Sequence, residues 1–218
     1  MTEPDFLSAT RTAYDTIAAD YAEVHRDRLA GKPVELAMLA AFVDLVRADG
    51  GGPVADVGCG PGVITAHLHA LGLDVFGVDL SPQMLARARG AYPELRFDEG
   101  SMTALKVPDG TLAGLVAFYS VIHIPTGLLP AVFAEFHRVL APGGHLLLAF
   151  QDGDELLHRT EAFGRTIALD YYFRSPERVA DLLRTAGFGV HARLRREPGE
   201  DETIPKAYLL AVSAPAGG

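Results

Sequence analysis

Apolar positions change period near residue 50. Before it, Tyr14, Ile17, Ala18 and Tyr21 recur at helical spacing, as do Leu36, Leu39, Ala40, Val43 and Val46. Two helices are predicted there, separated by Gly31-Lys32-Pro33 and closed by Gly50-Gly51-Gly52-Pro53. Beyond residue 50, short apolar runs alternate with helical patterns. Val54–Val57, Val75–Val78, Leu95–Phe97, Leu115–Tyr119 and His145–Phe150 read as strands; the last is nearly all apolar, as burial on both faces demands. Val63–Leu71, a segment opening at Ser81-Pro82, and Leu128–Leu140 read as helices between them. Ser81 suits the N-cap, and Pro82 the first turn, where no amide donor is missed. Ser175-Pro176 opens another helix, Glu177–Ala186, which Gly187 ends. Val190–Arg195 and Ala207–Val212 follow with no room for a helix between them, which predicts an antiparallel pair.

Alternating strands and helices imply an α/β, doubly wound parallel sheet with right-handed crossovers. Ligands bind such sheets beyond the carboxyl ends of the strands, where the strand order reverses.

Composition narrows the partners. The 218 residues include 19 Lys and Arg against 28 Asp and Glu, a formal charge of -9. Nucleic-acid binders need clustered cations to displace counterions, so no nucleic acid is expected as partner. The longest apolar stretches, Val34–Val46 (broken by Glu35 and Asp44) and Leu146–Phe150, fall short of the roughly 18 residues of a membrane span. The acidic start Met1-Thr2-Glu3-Pro4-Asp5 does not read as a signal peptide. One cysteine, Cys59, cannot form an internal disulfide. A cytoplasmic protein that touches no membrane is expected. The tail Ala214-Pro215-Ala216-Gly217-Gly218 reads as disordered.

The informative segment is Val54-Ala55-Asp56-Val57-Gly58-Cys59-Gly60-Pro61-Gly62, which joins the first strand to its helix. Alternate glycines let backbone approach a ligand closely. Val63 stands where the dinucleotide fingerprint needs its third glycine, and no Gly-Lys-Ser/Thr follows for a P-loop. Asp56 would repel a pyrophosphate but suits an ammonium or sulfonium charge. Asp79 closes the second strand 21 residues after Gly58, the position of a ribose-binding carboxylate. A cationic, phosphate-free adenosine ligand fits, and S-adenosyl-L-methionine answers that description.

On these residues, together with Val75–Ser81, Phe97-Asp98-Glu99-Gly100-Ser101-Met102, Leu115–His123 and Leu140-Ala141-Pro142-Gly143-Gly144-His145, the chain resembles the class I S-adenosylmethionine-dependent methyltransferases. The segment Tyr14–Tyr21 is similar to the helical lid of small-molecule members. The resemblance implies a Rossmann-like seven-stranded sheet, mostly parallel with an antiparallel last strand, plus an N-terminal helical lid. A single domain over 1–218 follows: lid 1–50, cofactor core 51–150, substrate-region insertion 151–175, and C-terminal helix and strand pair 176–213. By the same resemblance Gly58, Gly60 and Gly62 pass under the methionine part of the cofactor, and Asp56 orients its amino end. Asp79 holds the ribose, Leu80 packs on adenine, and Ser101 stands where many relatives carry an adenine-binding Asp. The backbone amide of Met102 reaches the ring nitrogen. From their positions, Tyr119 and Ser120 line the cofactor pocket, with ordinary strand-end packing as the alternative, and Tyr14 and Tyr21, seven apart on one helix face, cover the cofactor or pack in the core; Cys59 is the small residue the loop requires.

Methyl transfer is an in-line displacement in which the protein aligns the reactants and excludes water. A base is needed only where the acceptor still holds a proton. His123, just past the fourth strand, is the candidate base and also faces the acceptor; shaping the loop before Pro125 is its structural alternative. The long segment Gln151–Arg174 supplies candidate acceptor contacts at Gln151, His158, Tyr171, Tyr172 and Arg174, with a docked surface helix as the bland alternative. His67 and His69 face different ways on a helix, and no cluster has zinc-like spacing, so no metal is expected. A small-molecule acceptor methylated on oxygen is the leading reading, with nitrogen, sulfur or carbon open. A nicotinamide-dependent oxidoreductase and a non-catalytic cofactor-binding partner protein are the alternatives from other classes. The acceptor's identity and the oligomeric state have no sequence signal.

Overall fold

The computed structural model describes residues 5–199 and 202–214; the expected disordered tail lies outside them from Pro215 onward. In chain order the elements are α1 (Asp5–Val24), α2 (Pro33–Ala48), β1 (Val54–Val57), α3 (Val63–Ala70), β2 (Val75–Asp79), α4 (Pro82–Ala91), β3 (Phe97–Glu99) and β4 (Leu112–Phe118). There follow α5 (Leu129–Val139), β5 (Leu140–Gln151), β6 (Leu156–Ala162), β7 (Arg165–Tyr172), α6 (Pro176–Thr185), β8 (Phe188–Arg196) and β9 (Lys206–Ser213).

Seven strands form one sheet in the order β3-β2-β1-β4-β5-β9-β8. β9 runs antiparallel to both neighbours and the other pairings are parallel. The order reverses between β1 and β4, so the ligand edge lies at their carboxyl ends. Side-chain alternation along β5 explains its unbroken apolar run: Leu146 and Leu148 pack under α5 and α6, while Leu147 and Ala149 pack under α2 and α3. Phe42, Phe133 and Phe136 are fully buried in these two layers. Each removes roughly 150–250 Å² from water, which at about 25 cal/mol per Å² is several kcal/mol apiece. Ser81 caps α4 as its position predicts, accepting from the Met84 amide at 3.1 Å.

The structure departs from expectation at several points; β5, for one, begins at Leu140 rather than His145. The third strand begins at Phe97 rather than Leu95, and β4 begins at Leu112. The segment after β5 holds neither a docked helix nor an irregular lid; β6 and β7 pair as an antiparallel hairpin in a sheet of their own. One face of that hairpin buries Ile167 and Leu169 against Ala13 and Ile17 of α1. Arg165 ties it further to Asp20 at 3.0 Å. Helix and hairpin thus form one roof over the strand ends. Among the described residues no helix is long and apolar enough to cross a membrane.

Candidate active site

The glycine loop is shaped by what its neighbours leave free. Gly58 has φ +76°, and a Cβ there would lie 2.2 Å from the Ser120 Cβ. β1 and β4 therefore close on each other only with glycine at this position, and Ser120 seals the junction by donating to the Val57 carbonyl at 2.7 Å. Gly60 has φ +54°, and a Cβ there would meet no protein atom, so bare backbone faces open space. Gly62 differs: its Cβ would strike Phe97 and Ala88, which makes it a packing glycine under α4 rather than part of the cleft wall.

Asp79 is the pivot of the loop. Its Oδ2 accepts from the Gly60 amide at 2.7 Å and its Oδ1 from the Ser81 amide at 2.8 Å. Burial raises its pKa, and the backbone amides oppose that rise. A carboxylate offers about four lone-pair positions. These two amides take one position on each oxygen and the Leu80 amide also acts on the group, which leaves part of its accepting capacity at the cleft wall.

Around this pivot runs a cleft with an empty volume of about 820 Å³, its mouth included. It collects most of the residues expected at the cofactor: Tyr14, Tyr21, Gly58, Cys59, Gly60, Asp79, Leu80, Ser101, Met102, Tyr119 and Ser120, with His123 at one end. α1 is latched over it, since Asp15 Oδ1 accepts from the Ser81 hydroxyl at 2.5 Å and the Gln83 amide at 3.2 Å.

Asp56 is not on the cleft surface. It is 1% exposed and accepts from the Thr65 hydroxyl at 2.7 Å, tying β1 to α3 beneath the loop. Burial pushes its carboxyl up to about 7, against the Thr65 bond and nearby Arg28. Its expected contact with the cofactor's amino end has no direct path from that position. Ser101 lines the cleft, yet its hydroxyl is engaged with Thr103, 2.8 Å from Oγ1 and 3.2 Å from the amide it accepts. Cys59 is a buried thiol whose pKa burial raises, as a small inert filler would be.

The expected acceptor residues separate. Gln151 and Tyr171 line a second basin beside the cleft, whereas His158 and Tyr172 face a small hollow on the other side of the hairpin. His158 pairs there with Asp170 at 2.6 Å. Arg174 faces no cleft. It is 5% exposed and braces the hairpin base by donating to the Tyr172 carbonyl at 2.7 Å and to the Ile124 carbonyl.

His123 joins the lid to the site. Its Nδ1 lies 2.8 Å from the Asp170 carbonyl and its Nε2 lies 2.7 Å from the Tyr14 hydroxyl. A carbonyl only accepts, so Nδ1 carries the proton, Nε2 is the bare nitrogen, and Tyr14 donates to it. Burial lowers the pKa of His123 to about 4. The sign of the linkage follows. Between pH 4 and 6.5 the unfolded chain holds a proton on this histidine that the folded chain does not, so stability rises with pH across that window and is level above it. The window spans about 3 kcal/mol at 1.36 kcal/mol per pK unit. Urea unfolding of wild type and His123→Gln is expected to show that difference between the two proteins growing from pH 4 to 6.5; parallel curves would contradict it.

Arg28 was invisible in the sequence, in a charged stretch without periodicity. It lines the cleft, stacks 5.3 Å from the Tyr119 ring centroid and 5.6 Å from that of Phe118, and is felt electrostatically by Asp56 and Tyr21. Tyr119 itself has φ +57°, an uncommon conformation for a side chain of its size.

Residues 54–144 match the family profile described as a methyltransferase domain. A demethylmenaquinone methyltransferase of Chlorobaculum parvum is 38% identical over 92 residues, covering 42% of this chain and 37% of its own length. A trans-aconitate 2-methyltransferase of Escherichia coli O157:H7 is 34% identical over 141 residues, covering 64% of this chain and 52% of its own length. The chain thus spans about half or less of the length of these curated relatives. Among solved structures, the 1,6-didemethyltoxoflavin-N1-methyltransferase of Burkholderia thailandensis superposes with a TM-score of 0.71 at 22% identity, covering 99% of this chain and 92% of that one. The methyltransferase fold therefore extends over the whole sheet and its roof.

Proposed function

We propose that the chain transfers a methyl group from S-adenosylmethionine to a small-molecule acceptor, through an oxygen that is already ionised when it binds. The observation that carries the cofactor reading is the Asp79 carboxylate, locked by the Gly60 and Ser81 amides at 2.7 and 2.8 Å with accepting capacity left at the cleft wall. That arrangement fits a ribose diol lying over bare glycine backbone. Leu80 and Met102 fit the adenine, and Arg28, at the glycine-loop end, fits the carboxylate of the methionine part. Bound S-adenosylmethionine supplies a methyl group activated by its sulfonium leaving group.

Among the described residues, the other end of the cleft offers no proton-accepting base at neutral pH. The pKa of His123 is about 4, and its bare nitrogen already receives the Tyr14 hydroxyl. A base of that strength gains little from a neutral alcohol. An acceptor oxygen that has lost its proton beforehand, as in a carboxylic acid or acidic enol, needs no such group. The trans-aconitate enzyme is named for an acid, which agrees with this reading. With its proton on His123, Tyr14 has only oxygen lone pairs to offer; the Tyr171 hydroxyl engages one, and the other favours a cationic ligand in the cleft. α1 and the hairpin, packed together over the strand ends, cover the site.

Calorimetry tests the cofactor assignment. S-adenosylhomocysteine is expected to bind at micromolar concentration while NAD gives no heat. Binding of NAD with comparable affinity, or no binding of S-adenosylhomocysteine, would overturn it.

A further inference from the structure

The basin beside the cofactor cleft has an open volume of about 1100 Å³ and shares Tyr14, Tyr21, Arg28 and Tyr119 with that cleft. Its other walls come from the hairpin and from the facing ends of β5 and β9, where Gln151 and Lys206 are register partners. A molecule seated there lies against the same side chains that border the cofactor.

Its charges are unevenly satisfied. Both lining carboxylates have partners: Glu35 accepts from the Tyr119 and Tyr208 hydroxyls at 3.1 and 3.3 Å, and Glu202 pairs with Lys32 at 3.1 Å and Arg196 at 2.6 Å. Lys206 and Arg159 have no ion pair and no side-chain hydrogen bond among the described residues. Arg159 only lies over the Tyr171 ring, 5.5 Å from its centroid, and Lys206 senses Glu202 and Glu35 through space. Beside Lys206, the amide oxygen of Gln151 is buried with no hydrogen-bond partner. That oxygen is an acceptor, so it calls for a donor on whatever fills the basin and adds nothing to the attraction of an anion, which falls to the two cations alone. The uncommitted charge is positive, in a chain whose formal charge is -9.

The rim is apolar in an unusual way. Val24 and Phe163 both line the basin, yet are 65% and 43% exposed. Phe163 and Gly164 form the hairpin turn with φ +53° and +68°. Two consecutive left-handed residues make the turn that Asn-Gly serves best, and an aromatic residue is out of place there. Strain of this kind gathers at ligand clamps.

We propose that this basin binds the methyl acceptor and that the acceptor is a small amphipathic acid. Its apolar body lies between Phe163 and Val24, and its anionic group is held by Lys206 and Arg159. The proposal rests on the methyl-transfer reading and names the substrate class of that same site.

The test uses protein saturated with S-adenosylhomocysteine and two probes of equal shape, 3-phenylpropanoate and its neutral amide, titrated by calorimetry. The acid is expected to bind about tenfold more tightly than the amide, the scale of one charge-assisted hydrogen bond. Lys206→Met combined with Arg159→Met should erase that preference. Phe163→Asn should weaken both probes about fivefold, the scale of losing part of one aromatic contact, while the melting temperature stays level or rises, because Asn suits the turn. Equal affinities in the wild type, a preference that survives the double substitution, unchanged affinities in Phe163→Asn, or no binding of either probe at millimolar concentration would each overturn the proposal. If S-adenosylhomocysteine binds normally in those experiments, only the acceptor class fails. If it does not bind at all, the methyl-transfer reading fails first.

Discussion

Asp79→Ala is expected to weaken S-adenosylhomocysteine binding by at least about 100-fold, measured by calorimetry. The magnitude follows from what the carboxylate does at once. It would accept from two ribose hydroxyls, and hydrogen bonds to a charged acceptor contribute about 1.5–3 kcal/mol each. It also holds the amides of Gly60 and Ser81, so its loss leaves the glycine loop without its anchor. Asp79→Asn separates the two parts. One of its terminal atoms still accepts, while the other meets a backbone N–H with a donor of its own, so an intermediate loss of about tenfold is expected. The direction of the Asp79 shift adds a pH signature. Burial raises its pKa, so binding that uses the ionised form should fall as acidification protonates the group. Full affinity in Asp79→Ala would remove the ribose assignment and, with it, the strongest support for the cofactor's orientation.

The parts of the site legible in the sequence are those where local chemistry dictates position. Gly58 and Gly60 sit in the turn between β1 and α3, and Asp79 ends β2 before α4; local backbone spacing fixes each, and all three line the cleft. Ser81 caps its helix because Pro82 follows it. Longer-range contacts were not readable. Asp56 looks like a ligand contact until Thr65, nine residues on, closes over it. Gly62 looks like the loop's third cradle glycine until Phe97 packs on it. The hairpin left little trace. Every β6 residue except Ala162 is exposed, so β6 lacks the alternation that a half-buried strand requires, and its turn carries Phe163 rather than Asn. His158 and Arg174 were singled out for their chemistry, which the fold uses within the roof instead. Arg28 and Lys206 carry no motif; only the meeting of α1, the hairpin and the strand ends gives them a common target.

The same distinction governs what is expected of Tyr14 and His123, which are 109 residues apart and become one unit only in the fold. Tyr14→Phe should reduce kcat about 100-fold on any acceptor the wild type methylates, because loss of one oriented oxygen at the reacting end is felt mainly in alignment. S-adenosylhomocysteine affinity should stay within about threefold. A cofactor analogue bearing a protonated amine in place of the sulfonium methyl should bind about tenfold less tightly, since the lost lone pair favours positive charge. Rescue identifies the role of His123. In His123→Gln the side-chain oxygen reaches the place of Nε2 and can still receive the Tyr14 hydroxyl, so much of the rate should survive, whereas His123→Leu should match Tyr14→Phe. A positioning histidine whose pKa is about 4 leaves the kcat profile without an ionisation of its own between pH 5.5 and 8.5. An acidic limb with an apparent pKa near 6–7 that vanishes in His123→Gln would instead make His123 a general base. Acceptors that still hold their proton at neutral pH would then be within reach of the site.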